Sequence, residues 1–113
     1  MKSLKKPTIV VGYALEADFL FALEVCYGIE EEGCLPEVCQ YKNTSDAALI
    51  AQHATDRSIT GVAVGIYANK AEVHCLELKK ERSLLCVFSE ESNDYRQLGK
   101  NAARYLKNKK LDL

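Results

Sequence analysis

The sequence predicts one α/β domain built on a mixed, mostly parallel sheet of about five strands flanked by three helices, in the order β-α-β-α-β-β-β-α. Two observations lead to this class. The run Thr8–Gly12 is apolar, β-branched and non-alternating, which is typical of a parallel strand buried on both faces. Helical and strand patterns then alternate without repeats or linkers. We therefore expect one domain over residues 1–113, with flexible ends at 1–6 and 108–113.

The first helix and second strand complete a βαβ unit. Apolar residues recur every three or four positions from about Glu16 to Glu32, which predicts a helix. Its apolar face is predicted to comprise Phe19, Leu20, Leu23 and Tyr27. Gly33 is suited to end the helix in the left-handed conformation. A half-buried strand over 37–41 follows Pro36, and the unit should be right-handed and parallel.

The middle of the chain predicts a second helix and an antiparallel hairpin. Thr44 or Ser45 is expected to cap the helix, because hydroxyl side chains accept hydrogen bonds from first-turn amides. Strands are predicted over 60–67 and 71–78. The short connection between them predicts a tight turn with Asn69 in the left-handed conformation.

A fifth strand and a third helix complete the predicted fold. The apolar run 83–88 has strand length, and a helix is predicted from Asn93 or Asp94 to Lys107. Its apolar face is predicted to comprise Tyr95, Leu98, Ala102 and Leu106. This helix should cover the sheet together with the first two.

Composition excludes several classes of function. With 15 basic and 16 acidic side chains the chain lacks the positive charge of nucleic-acid-binding proteins. No apolar run approaches the roughly 20 residues that cross a bilayer. Five cysteines without a C-x-x-C pair predict reduced, mostly buried thiols in a cytoplasmic protein. His53 and His74 lack metal-ligand spacing and are interpreted as structural.

The segment Gly28–Gly33 contains Glu30, Glu31 and Glu32 at the predicted end of the first helix. Negative charge is unfavourable there, because the helix dipole is negative at its C-terminus. Successive helical side chains point about 100° apart, so the three carboxylates cannot enclose a cation by themselves. One hypothesis is a solvated acidic surface. The other is a single carboxylate that completes a cation site built mainly by another chain.

The last helix combines small residues with hydrogen-bond donors. Gly99, Ala102 and Ala103 permit close approach of another backbone. The donors are Arg96, Lys100, Asn101 and Arg104. Tight packing on the chain's own sheet and an interface with another protein explain this pattern equally well.

Two segments together resemble the dehydratase medium-subunit family. They are Gly28–Gly33 and the pattern Arg96 followed by Gly99-x-Asn101-Ala102-Ala103-Arg104. Residues 64–74 are also similar, so the resemblance spans about residues 8–107. The family contains the medium subunit of cobalamin-dependent diol and glycerol dehydratases and the small subunit of the factors that reactivate those enzymes. Residues 95–105 are closer to the dehydratase subunit, whereas the compact chain and the short segment 76–95 are similar to the reactivase small subunit.

As a reactivase small subunit, the chain would be non-catalytic. The resemblance implies a large chaperone-like ATPase partner in an α2β2 heterotetramer, which binds ATP or ADP and releases damaged cobalamin from an inactivated dehydratase. The small subunit would compete for the place of the enzyme's medium subunit. The resemblance further implies a location in the cytoplasm or a bacterial microcompartment.

The resemblance also assigns residues. Glu31 matches the family's glutamate that reaches Mg2+ or another divalent cation held mainly by the large subunit. The expected interface residues are Glu30, Glu32, Gly33, Arg96, Lys100, Asn101 and Arg104. No catalytic residue and no cofactor bound by this chain alone are expected. The alternative function is a compact medium subunit of a diol or glycerol dehydratase, and the choice between glycerol and 1,2-propanediol stays open.

Overall fold

A computed structural model describes residues 6–15, 17, 19–78 and 82–113. In this part of the chain the elements are β1 (Thr8–Ala14), α1 (Phe19–Glu31), β2 (Leu35–Tyr41), α2 (Ala47–Arg57), β3 (Val62–Tyr67), β4 (Lys70–Cys75), β5 (Leu85–Phe88) and α3 (Ser92–Leu106). The predicted class and element order are confirmed. The expected flexible segment at the N-terminal end and the predicted helix start at Glu16 lie largely outside the described residues.

The strands form one sheet in the order β2-β1-β3-β4-β5. β1 is parallel to both β2 and β3, as the βαβ prediction requires. β4 is antiparallel to β3 and β5, so four of the five strands run in one direction. The sheet is therefore mixed and mostly parallel.

The helices cover both faces of this sheet. Ile9 and Val11 of β1 point into the larger core, which α1 and α3 cover. Val10 points the other way and packs with Ala54 of α2. A side chain on Gly65 of β3 would lie 2.3 Å from the carbonyl oxygen of Ala47, so this glycine lets α2 approach the sheet closely. β1 is buried because it lies between two helical layers.

The predicted apolar face of α1 is wrong. Phe19, Leu20 and Tyr27 are 50%, 48% and 41% exposed, and Leu23 is half-buried. The buried residues are Phe21, Ala22, Val25, Cys26, Gly28 and Ile29. The first half of this helix is apolar almost all round, so its periodicity does not define a unique face. Packing against α3 and β1 buries a different face, which carries Phe21, Val25 and Ile29.

Two turn details also differ from prediction. Asp46 caps α2 in place of Thr44 or Ser45, since its Oδ1 accepts a 2.8 Å hydrogen bond from the backbone amide of Ala48. In the β3–β4 hairpin, Ala68 has a φ of 51°, whereas Asn69 is outside the left-handed region. The Asn69 side chain instead donates a 2.7 Å hydrogen bond to Glu90. The helix end at Gly33 is confirmed, with a φ of 84°.

Buried polar groups on β4 have partners within the chain. His74 Nε2 lies 2.9 Å from Glu72 Oε1, and Glu72 Oε2 lies 3.2 Å from Lys70 Nζ. His74 is thus a buried structural histidine as expected, while His53 is exposed. All five cysteines are free: Cys26, Cys34 and Cys75 are buried, Cys39 is half-buried and Cys86 is exposed. None of the described helices is both long enough and apolar enough to span a bilayer.

Candidate functional site

The backbones of α1 and α3 touch through two glycines. A side chain on Gly28 would lie 2.0 Å from the carbonyl oxygen of Arg96, and one on Gly99 would lie 2.1 Å from that of Val25. Phe21, near the start of α1, stacks on Tyr95, near the start of α3, and Glu32, just after α1, pairs with Arg104, near the end of α3. The two helices therefore run in the same direction. The small residues of α3 predicted a close approach, and at Gly99 the approaching backbone is the chain's own α1 rather than the sheet.

This crossing brings cations of α3 to the acidic end of α1. Arg104 Nη2 lies 3.0 Å from Glu32 Oε2, and Lys107 Nζ donates a 3.0 Å hydrogen bond to the carbonyl oxygen of Glu32. The unfavourable charge at this helix end is therefore compensated from a neighbouring helix. The hydrogen bond from Arg104, supported by other nearby positive charges, holds the pKa of the Glu32 carboxyl below its ordinary value.

Glu31 is held much more loosely. Its Oε2 lies 3.8 Å from Arg96 Nη1, and its side chain is 47% exposed, against 13% for Glu32. Arg96 has other contacts: its Nε lies 3.0 Å from Glu24 Oε1, and its guanidinium carbon lies 5.3 Å from the centre of the Tyr27 ring. Of the two carboxylates of Glu31 and Glu32, that of Glu31 is therefore the one that faces solvent and is free to bind an external group.

The remaining predicted residues lie on two sides of α3. Glu30 is exposed beside Glu31, and Lys100 is half-buried with its amide nitrogen against Gly28. A side chain on Gly33 would meet Lys107 Nζ at 2.8 Å. We call this group the charged seam, and its members are Glu30, Glu31, Glu32, Gly33, Arg96, Lys100, Arg104 and Lys107. Asn101 is not part of it.

Asn101 bonds to the segment that follows α3. Its Oδ1 accepts a 2.8 Å hydrogen bond from the amide of Asp112, and its Nδ2 donates a 2.9 Å hydrogen bond to the Asp112 carbonyl oxygen. Gln97 Nε2 donates to the same carbonyl oxygen at 3.1 Å. In the described part of the chain, Asn101 was predicted to contact a partner protein, and it is bonded instead to the chain's own Asp112.

Sequence reasoning missed Glu24, Lys107 and Asp112 as members of these contacts. Glu24 had a usable signal, because it lies seven residues before Glu31 and hence on the same face of α1. The contacts of Lys107 and Asp112 depend on where α3 crosses α1 and where the chain turns after it. Local sequence does not specify either.

The cysteines near the seam are poor nucleophiles. Burial, with a smaller contribution from the charge of Glu30, raises the pKa of the Cys26 thiol to about 11. Burial is also the main reason that the pKa of Cys34 is raised. Because the thiolate is the reactive form, neither residue is suited to covalent chemistry at neutral pH.

The described residues contain no self-sufficient metal site. No group of three or more His, Cys, Asp or Glu side chains within 6–15, 17, 19–78 and 82–113 could hold a metal ion. A cavity of about 240 Å3 beside Tyr105 lies outside the seam, and its volume is below the roughly 300–1,000 Å3 of typical ligand sites. What the seam offers is the exposed carboxylates of Glu30 and Glu31, the second of them beside Arg96, which suits a contribution to a shared site.

Comparison with known proteins places this arrangement in context. The family model described as dehydratase medium subunit matches residues 6–112. A solved structure titled glycerol dehydratase reactivase has a TM-score of 0.88 at 24% identity, over 95% of this chain and 97% of that chain. A structure of diol dehydratase-reactivating factor complexed with ADP and Mg2+ has a TM-score of 0.84 at 25% identity, over 96% of this chain and 100% of that chain.

Proposed function

The chain belongs to the dehydratase medium-subunit family, and on that basis we propose that it is the non-catalytic small subunit of a reactivating factor for diol or glycerol dehydratase. The observation that carries the proposal is the end-to-end match to a chain of a diol dehydratase-reactivating factor, whose full length is covered at 25% identity. The glycerol dehydratase reactivase, at 24% identity, supports the fold.

In this proposal Glu31 is a metal ligand supplied to a partner. The large chaperone-like subunit would hold most of the coordination sphere of Mg2+ or another divalent cation, and Glu31 would complete it. Three features favour Glu31 over Glu32: its greater exposure, its 3.8 Å separation from Arg96 and its place at the end of α1. Glu32 is already paired with Arg104 at 3.0 Å. A hard cation favours carboxylate oxygens, so the donor type fits.

The other seam residues would contact the large subunit around that cation. Glu30 is exposed, and the Arg104 side chain is partly exposed beside its 3.0 Å ion pair with Glu32. Arg96, Lys100 and Gly33 complete the interface proposed around that cation, whereas Asn101, predicted as an interface residue, is bonded to Asp112 on the other side of α3 and lies outside it. ATP or ADP would bind to the partner, in an α2β2 heterotetramer.

The mechanism we propose is competition between similar folds. A reactivase subunit that has the medium-subunit fold can take the place of the dehydratase's own medium subunit, loosen the enzyme around damaged cobalamin and allow its exchange. The complex would act in the cytoplasm or a bacterial microcompartment. The chain's part in this is binding, and nucleotide hydrolysis belongs to the partner.

The metal role is tested with Glu31→Gln, which removes the charge and keeps the shape. We expect this variant to co-purify with the large subunit at least about tenfold less efficiently than wild type in Mg2+ buffer, and to lose the difference between Mg2+ and EDTA. Glu91→Gln is the matched control, since Glu91 is exposed at the start of α3 and lies outside the seam. Equal assembly of Glu31→Gln and wild type would contradict the ligand role.

The function itself is tested by reactivation. An inactivated diol or glycerol dehydratase is incubated with the large subunit, ATP, Mg2+ and adenosylcobalamin, with or without this chain. We expect recovery of dehydratase activity to require the chain, and free damaged cobalamin to appear in the small-molecule fraction. Recovery at the same rate without the chain would overturn the proposal.

A second candidate is a compact medium subunit of a cobalamin-dependent dehydratase, which the matching family model also favours. It predicts turnover when the chain is combined with matching large and small dehydratase subunits and adenosylcobalamin. Turnover in that mixture, together with failure of reactivation, would favour the second candidate. Reactivation without turnover would exclude it.

A further inference from the structure

The first helix carries a second apolar face, which is largely exposed. Its inner side packs on the sheet and on α3 through Phe21, Val25 and Ile29. The opposite side, which we call the outer face of α1, has four large apolar side chains, and all but the half-buried third are exposed: Phe19, Leu20, Leu23 and Tyr27. A helix that is apolar all round is typical of one that lies between two layers. The chain supplies one layer, so we expect another molecule to supply the second.

The outer face of α1 leads directly to the carboxylate of Glu31. Leu20, Tyr27 and Glu31 are spaced by seven and four residues, which places them on one line along the helix. Tyr27 lies about one turn before Glu31, roughly 6 Å along the helix axis. Arg96 contacts both side chains: its guanidinium carbon lies 5.3 Å from the centre of the Tyr27 ring, and its Nη1 lies 3.8 Å from Glu31 Oε2. A protein that holds a cation against Glu31 therefore also covers Tyr27.

The uneven polarity along α1 argues against a second copy of the chain as the occupant of this face. The exposed apolar side chains begin at the start of the helix, whereas the carboxylates of Glu30 and Glu31 lie at its end. Two copies related by a two-fold axis would pair their α1 helices either antiparallel or parallel. Antiparallel pairing would bury carboxylates against apolar side chains, and parallel pairing would place carboxylates against one another. A different protein that combines an apolar surface with a bound cation avoids both costs.

We propose that the outer face of α1 is the apolar part of the interface with the large subunit that holds the cation, and that Tyr27 is its central contact. This inference rests on the proposed function and adds to it a contact that does not require the cation. Tyrosine suits this position, because it offers a large rigid ring with a polar end. The guanidinium of Arg96 over that ring limits its motion, so less side-chain freedom is lost on binding. Apolar burial supplies affinity, and Glu31 supplies the dependence on Mg2+.

The contact is tested by titrating the large subunit with Tyr27→Ser and with the double variant Leu20→Ser/Tyr27→Ser, each made in the full chain and measured in Mg2+ and in EDTA. Leu49→Ser is the matched control, because Leu49 is 46% exposed on α2, which covers the other face of the sheet. We expect Tyr27→Ser to raise the Kd about tenfold in both buffers, and the double variant to raise it further. Leu49→Ser should bind as wild type does. The difference between Mg2+ and EDTA should persist in Tyr27→Ser, whereas Glu31→Gln should lose it.

A second measurement uses the wild-type chain and so does not depend on the folding of the variants. Hydroxyl-radical labelling of side chains is followed by mass spectrometry, with and without the large subunit. We expect the large subunit to protect Leu20 and Tyr27 from labelling and to leave Leu49 unchanged.

The outcomes separate this inference from the proposed function. If wild type binds the large subunit but the two serine variants bind equally well, or Leu20 and Tyr27 stay labelled in the complex, the inference is overturned and the proposed function stands. Failure of wild type to bind in either buffer would overturn both. Protection of the same two residues in the chain alone, increasing with its concentration, would assign the outer face of α1 to a second copy and overturn the inference.

Discussion

The two sides of α3 interact with their neighbours by different chemistry. Toward α1, the charged seam pairs arginine and lysine side chains with the carboxylates and carbonyl groups of a helix end. Toward β5, Asn101 pairs with the backbone of Asp112 without a charged partner. The strength of the contacts on the first side depends on pH and salt, and the strength of those on the second side depends on hydrogen-bond geometry and burial. One helix thus presents two kinds of surface, which substitutions can test separately.

The largest expected effect comes from separating α1 from α3. In Gly28→Ala the new methyl group would lie 2.0 Å from a backbone carbonyl oxygen, so one helix must move. We expect the free energy of unfolding to fall by about 3 kcal/mol, the upper part of the usual range for overpacking. Urea unfolding followed by circular dichroism measures this change.

Gly33→Ala is the comparison for that experiment. Its methyl group would meet the movable end of Lys107, so the main cost is the left-handed φ of 84°, about 1 kcal/mol. If Gly28→Ala costs no more than Gly33→Ala, the two helices are not in the tight contact described.

Asn101→Ala should have the second-largest effect. It removes both hydrogen bonds to Asp112 from a site that is 4% exposed, and we expect a loss of about 2 kcal/mol. Asn93→Ala, at an exposed position of the same helix, should change stability by less than about 0.5 kcal/mol. Urea unfolding tests both variants. Equal stabilities would show that the contact with Asp112 contributes nothing.

Arg104→Gln should destabilise the chain less than Asn101→Ala, and its effect should depend on pH. The pKa of Glu32 in the folded chain lies below its ordinary value of 4.5, so the pairing stabilises the fold above that pH and is lost as pH falls through the folded pKa. The difference in Tm between wild type and variant should therefore be full at about pH 7 and shrink toward about pH 3. A difference that grows on acidification would contradict the assignment.

Glu31→Gln should have the smallest effect on stability. Its carboxylate is 47% exposed and lies 3.8 Å from its cation, and weak exposed pairs contribute little. We expect a change below about 0.5 kcal/mol in urea unfolding, against the marked loss of assembly predicted above. A large loss of stability would place Glu31 among the structural residues of the charged seam.

The sequence was sufficient for the fold where a pattern had one physical solution. The run at Thr8–Gly12 could be satisfied by a buried parallel strand, and Gly33 by a left-handed helix end. It was insufficient where several solutions were locally equal. The apolar first half of α1 allowed more than one buried face, and contact with α3 decided between them.

The candidate site was predictable to a similar degree. The acidic segment and the arginines of α3 were visible in the sequence, and the structure brings Glu31, Glu32, Arg96 and Arg104 together. The unequal environments of Glu31 and Glu32 depend on the position along α1 at which α3 crosses it. No local sequence pattern encodes that position. Asn101 was grouped with the arginines because they share a motif, although at about 100° per residue it lies roughly 140° around the helix from Arg96.

The glycine crossing has a consequence for the geometry of this surface. Glu31 lies three residues beyond Gly28, about 4.5 Å farther along the helix axis, and Asn101 lies two residues beyond Gly99. Because backbone rests on backbone at the crossing, no intervening side-chain layer sets the spacing between these two groups. The two glycines therefore set the distance between the two helix backbones, and with it the positions from which Glu31 and Asn101 project.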